Sequence, residues 1–429
     1  MATVYPDWAG LPQEMVATVM EALGIPDLLR AGAVCSSWHA ACSAARRVRF
    51  PITDASPCLL YSARGDNDGE DDAGAATLYS PSSGAAFRVR LPDPPLRRRA
   101  LVGSAHGWVA TADEESNLHL VNPLTGAQLA LPHVTTLHHI ESSLDEQGSL
   151  MYGVQESEDL DDPDDPVRYP AEKLRLFLYY KVVMSCSPSK GKDCIVLLVH
   201  RPDGEISFAR IDDGQWTQIT DQTLKWVSGY RDALYNKKDG LFYVLSFDGS
   251  MLTLDLSDPS SPVAKDILPR AIPWNDPIKD IMLTPSGDLL QVWRLKEIKQ
   301  SATPVDVPMG AAHELDDPYK VSRITEFFVY KVDIDKQDLV KLSSIGEHAL
   351  FLGYNSAVCL HTKDFPELNP DSAYVTDGFD EEMCANKHNF REIGIWDFKT
   401  ESLHGLGEVQ SRNPWLNWPA PIWITPSLL

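Results

Sequence analysis

The chain has 429 residues, with 61 Asp or Glu against 38 Lys or Arg, so its formal charge is −23. Clustered Lys and Arg capture phosphate backbones by releasing counterions, and a balance this acidic argues against a nucleic-acid partner. With 43% hydrophobic and 23% charged residues the composition is globular, and at about 100 to 200 residues per domain it suits two or three domains, or one large all-β domain plus a small module.

The first residues lack the basic start and apolar run of a secretion signal, and no apolar run is long enough to span a bilayer, so no membrane partner is expected. The 7 cysteines, at positions 35, 42, 58, 186, 194, 359 and 384, form no C-x-x-C pair. That argues for reduced thiols, without a disulfide framework or zinc module, and for the cytoplasm and/or nucleus.

Residues 8–50 read as helical. Met15, Val16, Val19, Met20 and Leu23 recur at three- and four-residue spacing behind Pro12, which suits a first turn, and Gly24 suits a stop. Pro26 and Asp27 open a second helix carrying Leu28, Leu29, Ala31 and Val34, and Ser36 caps a third carrying Trp38, Ala41 and Ala45. Three helices in about 40 residues make a marginal core, so part of this apolar surface is expected to be completed by another protein.

The order Leu11, Pro12, Gln13, Glu14, then Val16, Val19, Leu23 and Leu28, then Val34, Cys35, Ser36, Ser37, Trp38 resembles the F-box pattern of Leu-Pro-x-Glu, spaced apolar residues and Val-Cys-x-x-Trp. The resemblance implies docking on the Skp-type adaptor of a cullin-RING ubiquitin ligase, with Leu11, Pro12, Glu14, Val16, Leu28, Val34, Cys35 and Trp38 as the adaptor-binding residues. The family commonly has a basic residue between Cys and Trp; Ser36 and Ser37 stand there instead.

From about residue 58 the period changes to two. Short apolar runs at 59–61, 77–79, 86–89, 107–110, 118–121, 174–183, 195–200, 206–209, 241–247, 251–256, 281–284, 289–295, 326–332, 349–352, 372–376 and 393–398 predict strands. Asp203-Gly204, Asp239-Gly240, Asp248-Gly249 and Ser286-Gly287 predict the tight turns of hairpins, and the β structure is expected to be antiparallel throughout. About 370 residues at roughly 50 to 60 per four-stranded blade give a six- or seven-bladed β-propeller. Two acidic stretches, near 65–73 and 155–166, read as solvated loops. The opposing basic clusters are Arg46, Arg47 and Arg49, and Arg97 to Arg99.

The block Gly103, Ser104, Ala105, His106, Gly107, Trp108, Val109, followed by Leu120, Val121, Asn122, Pro123, Leu124, Thr125, Gly126 and later by Gly394, Ile395, Trp396, Asp397, Phe398 and Pro421, Ile422, Trp423, Ile424, resembles the plant F-box-associated β-propeller of the KIB type over about residues 55–427. That resemblance divides the chain into an F-box at 8–50 and a propeller at 55–429; the Pro421 to Ser427 block is expected to complete or seal the last blade.

No catalytic residues and no cofactor are expected, because nucleophile, phosphate-loop and dinucleotide fingerprints are missing. No metal site is expected either: His138 and His139 are adjacent, and on a strand they would face opposite ways. His106 reads as a turn histidine bonded to backbone, and Trp415, Trp418 and Trp423 as packing that closes the propeller. The function this supports is the substrate-recognition subunit of a Skp–cullin–F-box ligase, with an unidentified protein target; the alternative is a free-standing propeller, scaffold or enzyme, capped by a helical module.

Overall fold

The computed structural model of the protein describes residues 8–23, 28, 31–32, 34–48, 56–62, 75–155, 166–220, 223–224, 229–269, 277–302, 319–376, 378, 393–406 and 419–427. The core of both acidic stretches, and Trp415 and Trp418, lie outside these residues.

Pro12 heads the helix Gln13–Ala22, and its carbonyl accepts from the amides of Met15 (3.0 Å) and Val16 (3.1 Å). Proline is tolerated there because the first amides of a helix have no intrahelical acceptor. Leu28, Ala31 and Gly32 are helical, Val34 is described but lies in a bend rather than on the expected second helix, and Pro26, Asp27 and Leu29 fall outside the described residues. The helix Ser36–Val48 buries Trp38, Ala41, Cys42 and Ala45, the i, i+3, i+4, i+7 stripe of an amphipathic helix, against Val16, Met20, Leu28 and Ala31. Backbones pack closely here: a side chain on Gly32 would put its Cβ 2.8 Å from Cys42 Sγ.

The remainder is sheet. The first holds Cys58–Tyr61, Ala75–Ser80 and Ala85–Arg90; the second Ala100–Ala105, Trp108–Ala112, Leu118–Val121 and Gln128–Ala130; the third, of three strands, Ile140–Leu144, Leu150–Val154 and Val167–Pro170. The fourth holds Tyr179–Met184, Ile195–His200, Glu205–Arg210 and Thr217–Gln218, and the fifth Tyr230–Asn236, Leu241–Ser246, Met251–Asp255 and Val263–Leu268. Ile278–Leu283, Leu289–Gln300, Lys320–Asp333 and Asp338–Leu342 form the sixth. The seventh runs Val358–His361, His348–Leu352, Ser372–Val375, Gly394–Asp397, Ser402–Gly405 across its width.

Six of these sheets stand radially. Their first strands neighbour one another in turn, Ala100–Ala105 beside Tyr179–Met184, then Tyr230–Asn236, then Ile278–Leu283, then Val358–His361, while Ile422–Ile424 lies beside Ala100–Ala105. Each seam has its own apolar core; Leu234, Tyr243 and Leu245 of the fifth sheet, for example, meet Ile281 and Leu289 of the sixth. The third sheet does not enter this ring. A Cβ on Gly103 would sit 2.5 Å from the Val182 carbonyl oxygen, so the second and fourth sheets touch directly, and the third is wedged into their shared core through Ile140, Tyr152 and Val154.

Several sequence expectations are corrected. Residues 174–183 are not one strand: Ala171–Leu174 is a helical turn, and the strand starts at Tyr179. The β structure is not antiparallel throughout, since His348–Leu352 pairs in parallel with Ser372–Val375. Ile422–Ile424 completes the first sheet, not the last, pairing Leu59 with Trp423, so the two ends of the β domain are joined in one blade.

Candidate functional site

The helical module presents an apolar stripe wider than its own core covers. Val16 and Met20 are buried, whereas Pro12, Met15 and Val19, at three- and four-residue spacing on the adjoining stripe of the same helix, are exposed. Among the described residues of the module, Trp8 (57%) and Val34 (58%) are the other large exposed apolar side chains. Of the eight residues the F-box resemblance assigns to the adaptor, Pro12, Glu14 and Val34 are exposed and Leu11 and Cys35 half-buried. Val16, Leu28 and Trp38 lie in the module's core, and the Trp38 indole Nε1 donates to the Trp8 carbonyl at 2.9 Å. A buried side chain offers no docking surface; these three shape the surface from behind. Met15 and Val19 were legible only as part of the helix's apolar face, because spacing alone does not say which edge of a stripe the module itself covers.

On the propeller, the innermost strands bring buried charges together near the axis. Lys181 Nζ lies 3.1 Å from Asp232 Oδ1, and Asp232 also accepts from the amides of Ala233 (2.9 Å) and Ile281 (3.0 Å). Burial pushes the Asp232 carboxyl above its ordinary range, against the pull of Lys181. One strand on, Asp280 Oδ2 accepts from Arg294 Nε (3.1 Å) and Nη2 (2.9 Å), and Arg294 Nη1 donates to the Thr376 carbonyl at 3.0 Å. The crevice beside these pairs, lined by Tyr180, Lys181, Asp232, Lys279 and Tyr354, has a volume of about 20 Å³, room for a water rather than a metabolite. Its charges satisfy each other and tie neighbouring blades.

A larger open cleft of about 440 Å³ lies between the sixth and seventh sheets, lined by Phe327, Phe328, Lys341, Trp396 and Phe398. Phe327 packs on Trp396 and Phe398, with ring centroids at 5.1 and 5.6 Å, and Lys341 Nζ stands 4.1 Å over the Phe328 ring. Aromatic walls with a cation among them suit the binding of a side chain. Burial pushes the Cys58 and Cys359 thiols up to about 12, which leaves them protonated and unreactive at neutral pH.

His106 is a turn residue, at φ 53°, and its Nε2 lies 3.2 Å from the Met184 carbonyl oxygen, which accepts from it. Gly107 follows at φ 82°, where a Cβ would lie 2.2 Å from that of Ser427; Asn122 Nδ2 donates to the Ser427 carbonyl at 3.0 Å. The Gly103 to Trp108 block thus clamps the segment after the closing strand. His138 and His139 lie on a turn, not a strand, and so are not held on opposite faces.

These histidines also set an acid limit. Burial holds His106 and His200 down to about 4, so both are neutral when folded, while the unfolded chain takes up protons below about 6.5. Their contribution is complete above pH 6.5 and is lost as pH falls toward 4. Two such groups give a slope of up to about 3 kcal/mol per pH unit. Urea unfolding at pH 7, 6 and 5 should show this loss, and the double variant His106→Gln, His200→Gln should flatten it; equal slopes in the two proteins would refute the assignment.

Comparison with known proteins follows the same division of the chain. An F-box-like family model matches residues 8–49, and a family model described as KIB1-4 beta-propeller matches residues 78–397. Among curated relatives in Arabidopsis thaliana, the F-box/kelch-repeat protein At1g57790 is 25% identical, covering 96% of this chain and 95% of the relative. F-box protein At2g05970 is 23% identical over 93% of this chain and 91% of its own length. F-box/kelch-repeat protein KIB1 is 23% identical over 94% and 84%.

Proposed function

The chain belongs to the KIB1-4 β-propeller family, and from that membership, with an F-box-like module ahead of the propeller, we propose that it is the substrate-recognition subunit of a Skp–cullin–F-box ubiquitin ligase. The module holds a Skp-type adaptor and through it a cullin, and the propeller holds a protein target for ubiquitination. Catalysis belongs to other subunits, and the work is done in the cytoplasm or nucleus. Among the described residues no helix is long and apolar enough to cross a membrane.

The observation that carries this reading is the uncovered stripe of Pro12, Met15 and Val19, together with Val34, on a module too small to bury all of its own apolar surface. Leu11, Glu14 and Cys35 flank that surface, and Val16, Leu28 and Trp38 hold it in shape.

Replacing Met15 and Val34 together by Glu tests it, because both side chains are exposed and neither change opens the core. Apolar anchors at an interface are worth about 2 kcal/mol or more, so affinity for the adaptor should fall at least about 30-fold while the helical circular dichroism of the protein is kept. Adaptor capture at wild-type strength by this variant would refute the assignment.

A further inference from the structure

Away from the module and the axis, one cluster of side chains has the makings of a metal site. The turn after Val134–Thr136 carries His138 and His139, and Glu205 opens the strand Glu205–Arg210 of the fourth sheet. One ligand atom from each of the three lies within 4.8 Å of the others. His138 Nε2 is 3.3 Å and His139 Nδ1 4.0 Å from Glu205 Oε2.

His139 is what calls for a ligand. Its side chain is 2% exposed, yet neither ring nitrogen has a hydrogen-bond partner among the described residues, and a polar group so deeply buried is almost always paired. Its ring is fixed by packing, stacked on His200 at 5.1 Å with planes 6° apart and edge-on to His138 at 4.8 Å. His200 cannot supply the missing partner: its Nδ1 lies 2.5 Å from the Arg201 carbonyl oxygen and its Nε2 2.9 Å from Ser207 Oγ. Gln218 Nε2 donates to His138 Nε2 at 3.1 Å and must swing aside to free that lone pair.

We propose that His138, His139 and Glu205 bind a divalent transition metal, zinc in the first instance, that staples the wedged third sheet to the fourth. Two imidazoles and one carboxylate are a zinc donor set, with water filling the fourth position. Tetrahedral bonds of about 2.0 to 2.1 Å place donors roughly 3.3 Å apart. The His138–Glu205 pair already has that spacing; His139 Nδ1 stands 4.0 Å from Glu205 and all three ligand atoms lie within 4.8 Å, so binding draws His138 and Glu205 inward onto the packed His139 ring.

The test uses the full-length protein, stripped with a chelator and titrated with zinc by calorimetry. Binding of one zinc per chain is expected, with a rise in melting temperature that EDTA reverses. His138→Gln and Glu205→Gln, at partly exposed positions where the change is conservative, should each weaken binding by at least about tenfold. Cobalt(II) in place of zinc should give a ligand-field spectrum without a thiolate charge-transfer band. Failure to bind one equivalent, wild-type affinity in both variants, or a thiolate band would each overturn the proposal.

Discussion

Replacing Trp423 by Ala is expected to lower the stability of the propeller by about 3 to 5 kcal/mol, the usual range for truncating a buried aromatic. Trp423 is 1% exposed in the strand Ile422–Ile424, and its ring meets Phe351 and Tyr374 edge-on at 5.2 and 6.1 Å. Those two rings stack on each other at 4.6 Å. Its carbonyl accepts from Ser104 Oγ in the second sheet. One residue therefore binds the first sheet to the second by hydrogen bond and to the seventh by ring packing, and the cavity left by Ala cannot collapse without opening a seam. The indole Nε1 has no hydrogen-bond partner among the described residues, so Trp423→Phe keeps the packing and discards a buried unpaired donor. That variant should retain most of the stability. Urea denaturation of the three proteins decides it: a loss below about 1 kcal/mol for the Ala variant would show that closure does not rest on this ring.

Asp280→Ala is the second large effect. Arg294 is fully buried, and Asp280 is the carboxylate that takes two of its donors. Removing that carboxylate strands a guanidinium in the interior, which costs about 3 to 5 kcal/mol, whereas replacing both partners by apolar residues of similar size is often neutral or better. The double variant Asp280→Leu, Arg294→Met should therefore be more stable than Asp280→Ala alone, even though it leaves the Thr376 carbonyl without its donor. Thermal melts of the single and double variants form half of a mutant cycle. A single variant as stable as wild type, or a double variant less stable than the single, would show that the pair is not the desolvated unit described above.

How much of this was legible beforehand depends on how local the cause is. Runs such as Ile195–His200 and Leu241–Ser246 announced themselves because strands buried on both faces read as near-continuous apolar runs. The turn at Gly240 was equally plain, since its φ of 76° suits little else. What the sequence could not declare is which strands meet. Nothing near Trp423 says that its neighbour is Leu59, and nothing near Ala349 says that Ser372 will run parallel to it. The wedged sheet was missed for a related reason. Leu144 and Val167 are exposed apolar residues and Glu141 and Arg168 exposed charged ones, so its strands lack the clean alternation that marks a half-buried sheet. The apolar stripe of the module was legible as a pattern, but the split between Val16 inside and Met15 outside needed the packing.

Leu124 belongs to two cores at once. It sits in the turn headed by Asn122, whose Oδ1 accepts from the amides of Leu124 and Thr125, and it packs against both the helical module and the seam of the first two sheets. Two bodies joined only through a strip of chain sweep out every mutual orientation that its length permits. A side chain that packs against both cores narrows that range. On the function proposed above, reach becomes an angle: the target lysines open to modification would be those toward which this contact points the propeller, before any recognition of sequence around them.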